Sequence, residues 1–189
     1  MSSNPAESVP SVSEVVVEFR STLEERPRRH AGAVMELLQD LHENNLTQWR
    51  REDSVRNEDA SDAVIAAAKR DIDALNMKRH HLVEAIDAAV DAAIDQTPSA
   101  TPATESPASV FDRLSILVIR IYFTERAANS PRPDRDAYAA RLPVLRRQLE
   151  LLQVALEALL EELRDGRKHF VPHQSLKLYE SETTNRERI

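Results

Sequence analysis

Cysteine is absent from this chain of 189 residues, and glycine occurs only twice. The absence of cysteine excludes disulfide bonds, thiolate metal sites and cysteine nucleophiles. Sheet proteins and dinucleotide-binding folds of this size need glycine for tight turns and phosphate loops, so two glycines argue against both. The sequence therefore predicts an all-α protein, and its alanine, leucine, glutamate, aspartate and arginine content favours the same class.

Aromatic residues and positive charge are also scarce. Aromatics make up 4% of the chain, and its net charge is −7, which speaks against general binding of nucleic acids or anionic membranes. Because the N-terminus is acidic and contains prolines, we expect no export signal there. The longest apolar stretch, Leu114 to Phe123, is about half a membrane span and contains Arg120. We expect a soluble cytoplasmic protein with no nucleic-acid partner and no membrane insertion.

The sequence predicts a disordered lead at 1–12, a helical bundle domain at 13–180 and a disordered tail at 181–189. Periodicity in the bundle domain predicts a short N-terminal helix, capped by Ser13, followed by four long helices. A long loop rich in proline, serine and threonine separates helices three and four. The expected bounds of the long helices are about 31–56, 61–95, 106–129, and from the SPRPD segment to Gly166.

Two of the long helices are assigned to the core. The predicted fourth helix is apolar on nearly every side and should be the central one, with Ser106 and Pro107 forming its start. The predicted fifth helix repeats leucine at alternating spacings of three and four, which is a narrow core-facing seam. The leucines of that seam are Leu142, Leu145, Leu149, Leu152, Leu156, Leu159 and Leu163.

The predicted third helix breaks its own apolar pattern. Arg79 occupies a position in the apolar seam, and a buried arginine needs carboxylate partners. On the neighbouring face four polar residues follow one another at spacings of four, three and four, so they stack. These residues are Lys69, Asp73, Asn76 and His80.

The predicted second helix becomes polar inside in its second half, where Asn45, Gln48 and Glu52 take over the seam. Since we expect only a short turn at 57–60 between helices two and three, they should pair antiparallel and enclose a candidate site. A polar network that only fixes helix register is the alternative. The expected neighbours are His42 and Asn45 opposite Asp73 and Asn76, and Gln48, Trp49 and Glu52 opposite Lys69.

Asp112 and Arg113 stand at the start of the otherwise apolar fourth helix. Because adjacent helical residues point about 100° apart, they should not pair with each other. We expect one of them to pair with Arg79 and the other with Glu84 or Asp73.

Motifs of known catalytic and metal sites are missing. His80, His81 and Glu84 lack the Glu-x-x-His spacing that di-iron bundles use twice, so we expect no metal and no cofactor. No nucleophile elbow and no phosphate-binding loop is present.

Four runs of sequence point to a family. They are QWRRED followed by Arg56, KRDIDALNMKRHHLVEAID, TESPASVFDRLSILVIRIY, and GRKHFVPHQSLKLYE. In order and spacing, residues from about 35 to 180 resemble the bacterial domain-of-unknown-function family numbered 4254. The resemblance implies an all-helical fold without a settled activity, in members often encoded near glycosyltransferases for envelope polysaccharides.

The family pattern coincides with several residues that interrupt the apolar seams. Departures from it are Met77 in place of glutamine, His81 in place of aspartate, and Glu180-Ser181 in place of Asn-Asp. The pattern falls on Trp49, Glu52, Asp53, Arg56, Lys69, Arg70, Asp73, Asn76, Arg79, Glu84, Asp87, Asp112, Arg113, Ser115, Lys177 and Tyr179.

Three functions stay open. The first is an accessory or regulatory protein in bacterial envelope polysaccharide synthesis that binds a sugar or nucleotide-sugar, with a glycosyltransferase or its sugar substrate as partner. The second is an enzyme acting on a sugar-phosphate or nucleotide-sugar through carboxylate acid and base chemistry. The third is a structural interaction module without a ligand, whose helix-five surface binds a partner helix. A homo-oligomer is left open.

The ligand-binding candidates combine cations suited to phosphate, polar groups suited to hydroxyls, and one indole that could be a sugar platform or a core anchor. They are Trp49, Asp53, Arg56, Lys69, Arg70, Asp73, Asn76, Arg79, Glu84, Asp112, Arg113 and Ser115.

Overall fold

A computed structural model describes residues 9–28, 32–54 and 61–174. The chain is all-α, as predicted, and its only strands in these ranges are two residues long. Much of the predicted lead and all of the predicted tail lie outside the described residues. The elements are α1 (Val12–Leu23), α2 (Ala33–Ser54), α3 (Asp62–Ala93), β1 (Thr101–Pro102), α4 (Pro107–Ala128), α5 (Arg135–Arg164) and β2 (Lys168–His169).

Side-chain caps set where the helices begin. At α1 the cap is Ser11, not Ser13, because Ser11 Oγ accepts from the Glu14 backbone while the Glu14 carboxylate accepts from the Ser11 backbone. At α4 the cap is Ser106, as predicted, and its hydroxyl accepts from the backbone of Ser109. The observed N-caps of α1 and α4 therefore lie within two residues of the predicted ones.

Helix α4 is the central helix, as its apolar sequence predicted. It packs against each of the other four helices and buries Phe111, Leu114 and Ile119 almost completely. From α5, the predicted seam contributes Leu149 and Leu156 to the same core. Although α4 contains the longest apolar stretch, no helix within the described ranges is both long and apolar enough to cross a membrane.

Helices α2 and α3 form the expected antiparallel pair. Arg51 near the end of α2 lies 3.3 Å from Asp71, while Asn44, further back in α2, donates to the Leu75 carbonyl further along α3. Most described side chains in the first turns of α3 are exposed, and Ile65 among them is 44% exposed. Burial on α3 is concentrated in its second half.

The chain after α5 returns to the long loop. Gly166, at φ +67°, ends α5 in the left-handed conformation expected of a C-terminal glycine. Strand β2 then pairs in parallel with β1, and Phe170 is buried while Gln96 exchanges two hydrogen bonds with its backbone. The proline-rich loop is thus fastened to the bundle by the segment that follows α5.

Candidate functional site

Asp112 on α4 is the meeting point of three helices. Arg79 on α3 donates from Nε to both carboxylate oxygens at 2.9 Å and from Nη2 to Oδ2 at 2.5 Å. Asn45 on α2 donates to Oδ1 at 2.9 Å. This fork-like pairing is the strong form of an arginine-carboxylate contact, and it gives Arg79 the partner that its seam position demanded.

A hydrogen-bonded chain continues inward from this pair. Asn45 also donates to the Ser115 hydroxyl at 3.1 Å, and Ser115 Oγ lies 2.9 Å from His42 Nδ1. His42 stacks on Phe19 of α1 with the ring centroids 4.3 Å apart. These hydrogen bonds and the ring contact therefore link α3, α4, α2 and α1 through side chains alone.

His42 and Ser115 are both fully buried. Burial lowers the pKa of His42 from 6.5 to about 3, so the imidazole is neutral at physiological pH. A serine beside a neutral histidine is a familiar pair for nucleophilic catalysis, but here neither side chain is accessible to a substrate. The pair is part of the packing of the bundle.

A small cleft opens beside this network at the polar end of α2. Its volume is about 170 Å³, and its apolar floor includes Ile116 of α4. An indole, two amides, one carboxylate and two guanidinium groups line it: Trp49, Asn45, Gln48, Glu52, Arg79 and Arg120. This combination offers a ring face, hydrogen-bond donors and acceptors, and positive charge in one place.

Two polar atoms among these lining residues are buried without a hydrogen-bond partner in the described part of the chain. They are Trp49 Nε1, a donor, and Gln48 Oε1, an acceptor. The Trp49 ring itself stacks on Phe123, with centroids 5.8 Å apart and the planes 7° from parallel. An unpaired buried polar group costs about 1 to 3 kcal/mol, so both atoms favour a polar guest.

Arg120 is the cation of the cleft that the fold leaves free. Among the described residues no carboxylate lies within ion-pair distance of it, unlike Arg79. Arg120 and Ile116 also border a second, larger groove of about 620 Å³ between α4 and α5. The groove and the cleft therefore meet at Arg120.

The structure brings four of the predicted candidates into the cleft and its network: Trp49, Arg79, Asp112 and Ser115. Arg113 instead pairs with Glu105 at 3.1 Å and borders the larger groove. Glu84 lies 3.5 Å from His81, away from the cleft.

The remaining candidates do not join them. Asn76 is half-buried but does not line the cleft, and Asp53 is exposed near the end of α2. Arg56 lies outside the described residues. The exposed candidates on α3 are Lys69, Arg70 and Asp73.

The expected facing of α2 against α3 was wrong for two side chains. His42 and Asn45 were expected opposite Asp73 and Asn76, but both turn to α4 and bond to Ser115 or Asp112. The predicted register of α2 against α3 was nearly right. The side chains of His42 and Asn45 nevertheless point to a different neighbour, because α4 packs against the same part of α2. The expected partner of Arg113 was also wrong, because Arg113 pairs with Glu105 in the loop that leads into α4.

Two residues that the sequence did not single out as site residues have clear roles. Arg120 was visible as the one charge within the most apolar stretch, and it lines the cleft. Asp87 was noted only through the family pattern. Its fully buried carboxylate accepts from the Ala108 backbone in the first turn of α4 and from the His173 backbone, which ties α3 to two other segments.

Within the described ranges, no group of three histidines, aspartates or glutamates is arranged to hold a metal ion. The fold and the site define an all-α protein with a small polar cleft beside an internal hydrogen-bonded network. Residues 35–171 match the family described as Protein of unknown function (DUF4254), so the chain belongs to that family. No curated protein and no solved structure matches it.

Replacing Asp112 by leucine should lower the free energy of unfolding by about 2 to 3 kcal/mol, because it leaves the Arg79 guanidinium and the Asn45 amide without their acceptor. Adding Arg79→Met should restore part of that loss, since the unpaired cation is then gone. Urea denaturation of both single variants and the double variant measures the coupling. Arg113→Met is the control, because its pair with Glu105 is exposed and should contribute less than about 1 kcal/mol. Strictly additive losses would show that the pair is not coupled.

The stability of the protein should rise with pH between about 3 and 6.5, because the unfolded chain protonates His42 there and the folded chain does not. Between pH 7 and pH 5 the wild type should lose about 2 kcal/mol more than His42→Gln. Urea denaturation at the two pH values measures this difference. Equal pH dependence in the wild type and His42→Gln would contradict the buried neutral state.

Proposed function

We propose that the cleft binds the sugar ring of a nucleotide-sugar and that the protein acts as an accessory or regulatory component of bacterial envelope polysaccharide synthesis. The observation that carries the proposal is the grouping of Trp49, Gln48, Glu52 and Arg120 around a space of about 170 Å³. That space suits a single ring better than a complete nucleotide, since pockets for larger ligands are typically 300 Å³ or more.

The chemistry of the lining favours a hydroxyl-rich ring. Gln48 Nε2 donates to Glu52 Oε1 at 3.0 Å, which leaves the second carboxylate oxygen and Gln48 Oε1 as acceptors for hydroxyl groups. Trp49 supplies the aromatic surface and an unpaired indole N–H. Acceptors for hydroxyls beside an aromatic ring are what an uncharged, polar ring requires for orientation.

The position of the larger groove next to the cleft favours a nucleotide-sugar over a free sugar as the ligand. It begins at Arg120 and continues past Arg113 and Gln148, above an apolar floor that includes Leu117. A ring seated in the cleft would place an attached diphosphate near Arg120, whose guanidinium can bind phosphate oxygens in pairs. The apolar groove then offers space for the nucleoside.

Carboxylate acid and base catalysis is less well supported. Among the described residues that line the cleft, Glu52 is the only carboxylate, whereas glycoside chemistry of this kind uses two that flank the bond. Asp112 is near, but both of its oxygens are already engaged by Arg79. A binding role without turnover therefore fits the arrangement better.

The fluorescence of Trp49, the only tryptophan in the chain, tests this proposal directly. Titration with UDP-glucose should give a saturable change, and glucose 1-phosphate a weaker one. Arg120→Gln should raise the Kd for UDP-glucose at least tenfold because it removes the free cation.

Arg126→Gln is the matched control for the titration, since Arg126 lies on α4 but contacts Tyr122 outside the cleft. It should leave the Kd unchanged. Glucose and UMP, each titrated alone, separate recognition of the sugar from recognition of the nucleotide. The absence of any saturable change with all four compounds, or an equal Kd for Arg120→Gln and the wild type, would refute the proposal.

A further inference from the structure

Helix α5 carries a second apolar stripe in addition to the one that packs in the core. Three of its large aliphatic residues are more than half exposed: Val144 at 60%, Leu151 at 51% and Val154 at 64%. Ala140 and Ala158 are exposed as well and extend the same pattern. The stripe lies on the side of the helix away from the buried Leu149, Leu156, Leu160 and Leu163.

The spacing of this stripe is that of a helix-pairing surface. Its positions follow at intervals of four, three, four, three and four. Five of them are apolar, and the third is Arg147: Ala140, Val144, Arg147, Leu151, Val154 and Ala158. Apolar residues at such intervals form the seam of a coiled coil. The stripe spans about 27 Å of helix at 1.5 Å per residue, which is long for the exposed apolar surface of a monomer.

The spacing of the stripe is symmetric along the helix, with its midpoint at the level of residue 149. Read in either direction, the intervals are the same, so an antiparallel copy of the helix meets it position by position. Val144 then lies level with Val154 of the second copy, and Ala140 with Ala158. Arg147 lies level with Leu151, where its aliphatic stem can pack while the guanidinium reaches solvent.

Charge along α5 favours the same antiparallel arrangement. Residues 135–149 contain four arginines and one aspartate, whereas residues 150–164 contain four glutamates and one arginine. Two copies that run in opposite directions place each basic half beside an acidic half, whereas parallel copies oppose like charges. The edge position of α5, which packs on α4, α1 and β2, leaves room for a neighbour.

We propose that the protein forms a two-fold symmetric dimer in which the outer stripes of two α5 helices pack antiparallel. Such an interface uses the same patch on both copies, as two-fold dimers do. It is independent of the proposed ligand, although Leu151 borders both the stripe and the larger groove, so the second copy narrows the open side of that groove.

Sedimentation equilibrium of the full chain tests the dimer first. The mass should be about twice the 21.4 kDa of one chain, and the double variant Leu151→Glu with Val154→Glu should raise the dimer Kd at least a hundredfold. Val17→Glu and Val64→Glu, combined in one control chain, change equally exposed valines on α1 and α3 and should leave the Kd unchanged. Circular dichroism confirms that each chain is folded. A monomeric wild type, or a dimer that persists in the α5 variant, would overturn the proposal.

Cysteine cross-linking tests the direction of packing, because the natural chain contains no cysteine. Ala140→Cys and Ala158→Cys should form a disulfide with each other when the two variants are mixed and oxidised. Each variant alone should not cross-link, because an antiparallel dimer holds the two copies of one position about 27 Å apart. Efficient cross-linking of each variant with itself would show parallel packing and overturn the proposed arrangement.

Discussion

The carboxylate of Asp112 is the constraint on which the arrangement of the other helices depends. It lies in the second turn of the central helix α4, where an unpaired charge would be costly, and it is bonded by Arg79 and Asn45 from two neighbouring helices. Satisfying this one group fixes the level of α2 and α3 against α4. The Ser115 and His42 contacts then extend the same ordering to α1.

The bonds to Asp112 also distinguish the polar groups that hold the fold from those that remain available to a ligand. Arg79 and Asn45 line the cleft, but Arg79 Nε and Nη2 donate to Asp112, and Asn45 Nδ2 donates to Asp112 and Ser115. Arg120 has no such commitment within the described chain, and Trp49 and Gln48 each keep one buried atom unpaired. The groups committed to the network hold the shape of the cleft, and the uncommitted ones are left for recognition. A rigid wall beside free donors and acceptors is what keeps the ordering cost of binding low.

Much of the fold could be predicted because local sequence signals, such as apolar periodicity and capping residues, show where helices begin, end and bury a face. The nearly uniform apolar sequence of α4 and the periodic leucines of α5 predicted the core, and Ser106 and Gly166 marked two helix ends correctly. It was harder to predict which neighbouring helix each side chain of α2 faces. Polar residues lie on several sides of α2, and the sequence does not show which neighbour each side contacts. His42 and Asn45 were therefore assigned to α3 instead of α4. Arg120 was seen as an interruption, but its place in a cleft depends on α2 supplying Trp49 opposite it.

Arg79 is held by the network, whereas Arg120 has no carboxylate partner among the described residues and is the cation that we propose for the ligand. Nitrogen-15 NMR of the arginine Nε–H groups, with and without UDP-glucose, compares the two in a single spectrum. We expect a slowly exchanging Arg79 signal that shifts little on addition of the ligand, and a fast-exchanging Arg120 signal that shifts and becomes protected. If Arg79 shifts as much as Arg120, or if neither responds at saturating UDP-glucose, the division between structural and binding groups is wrong.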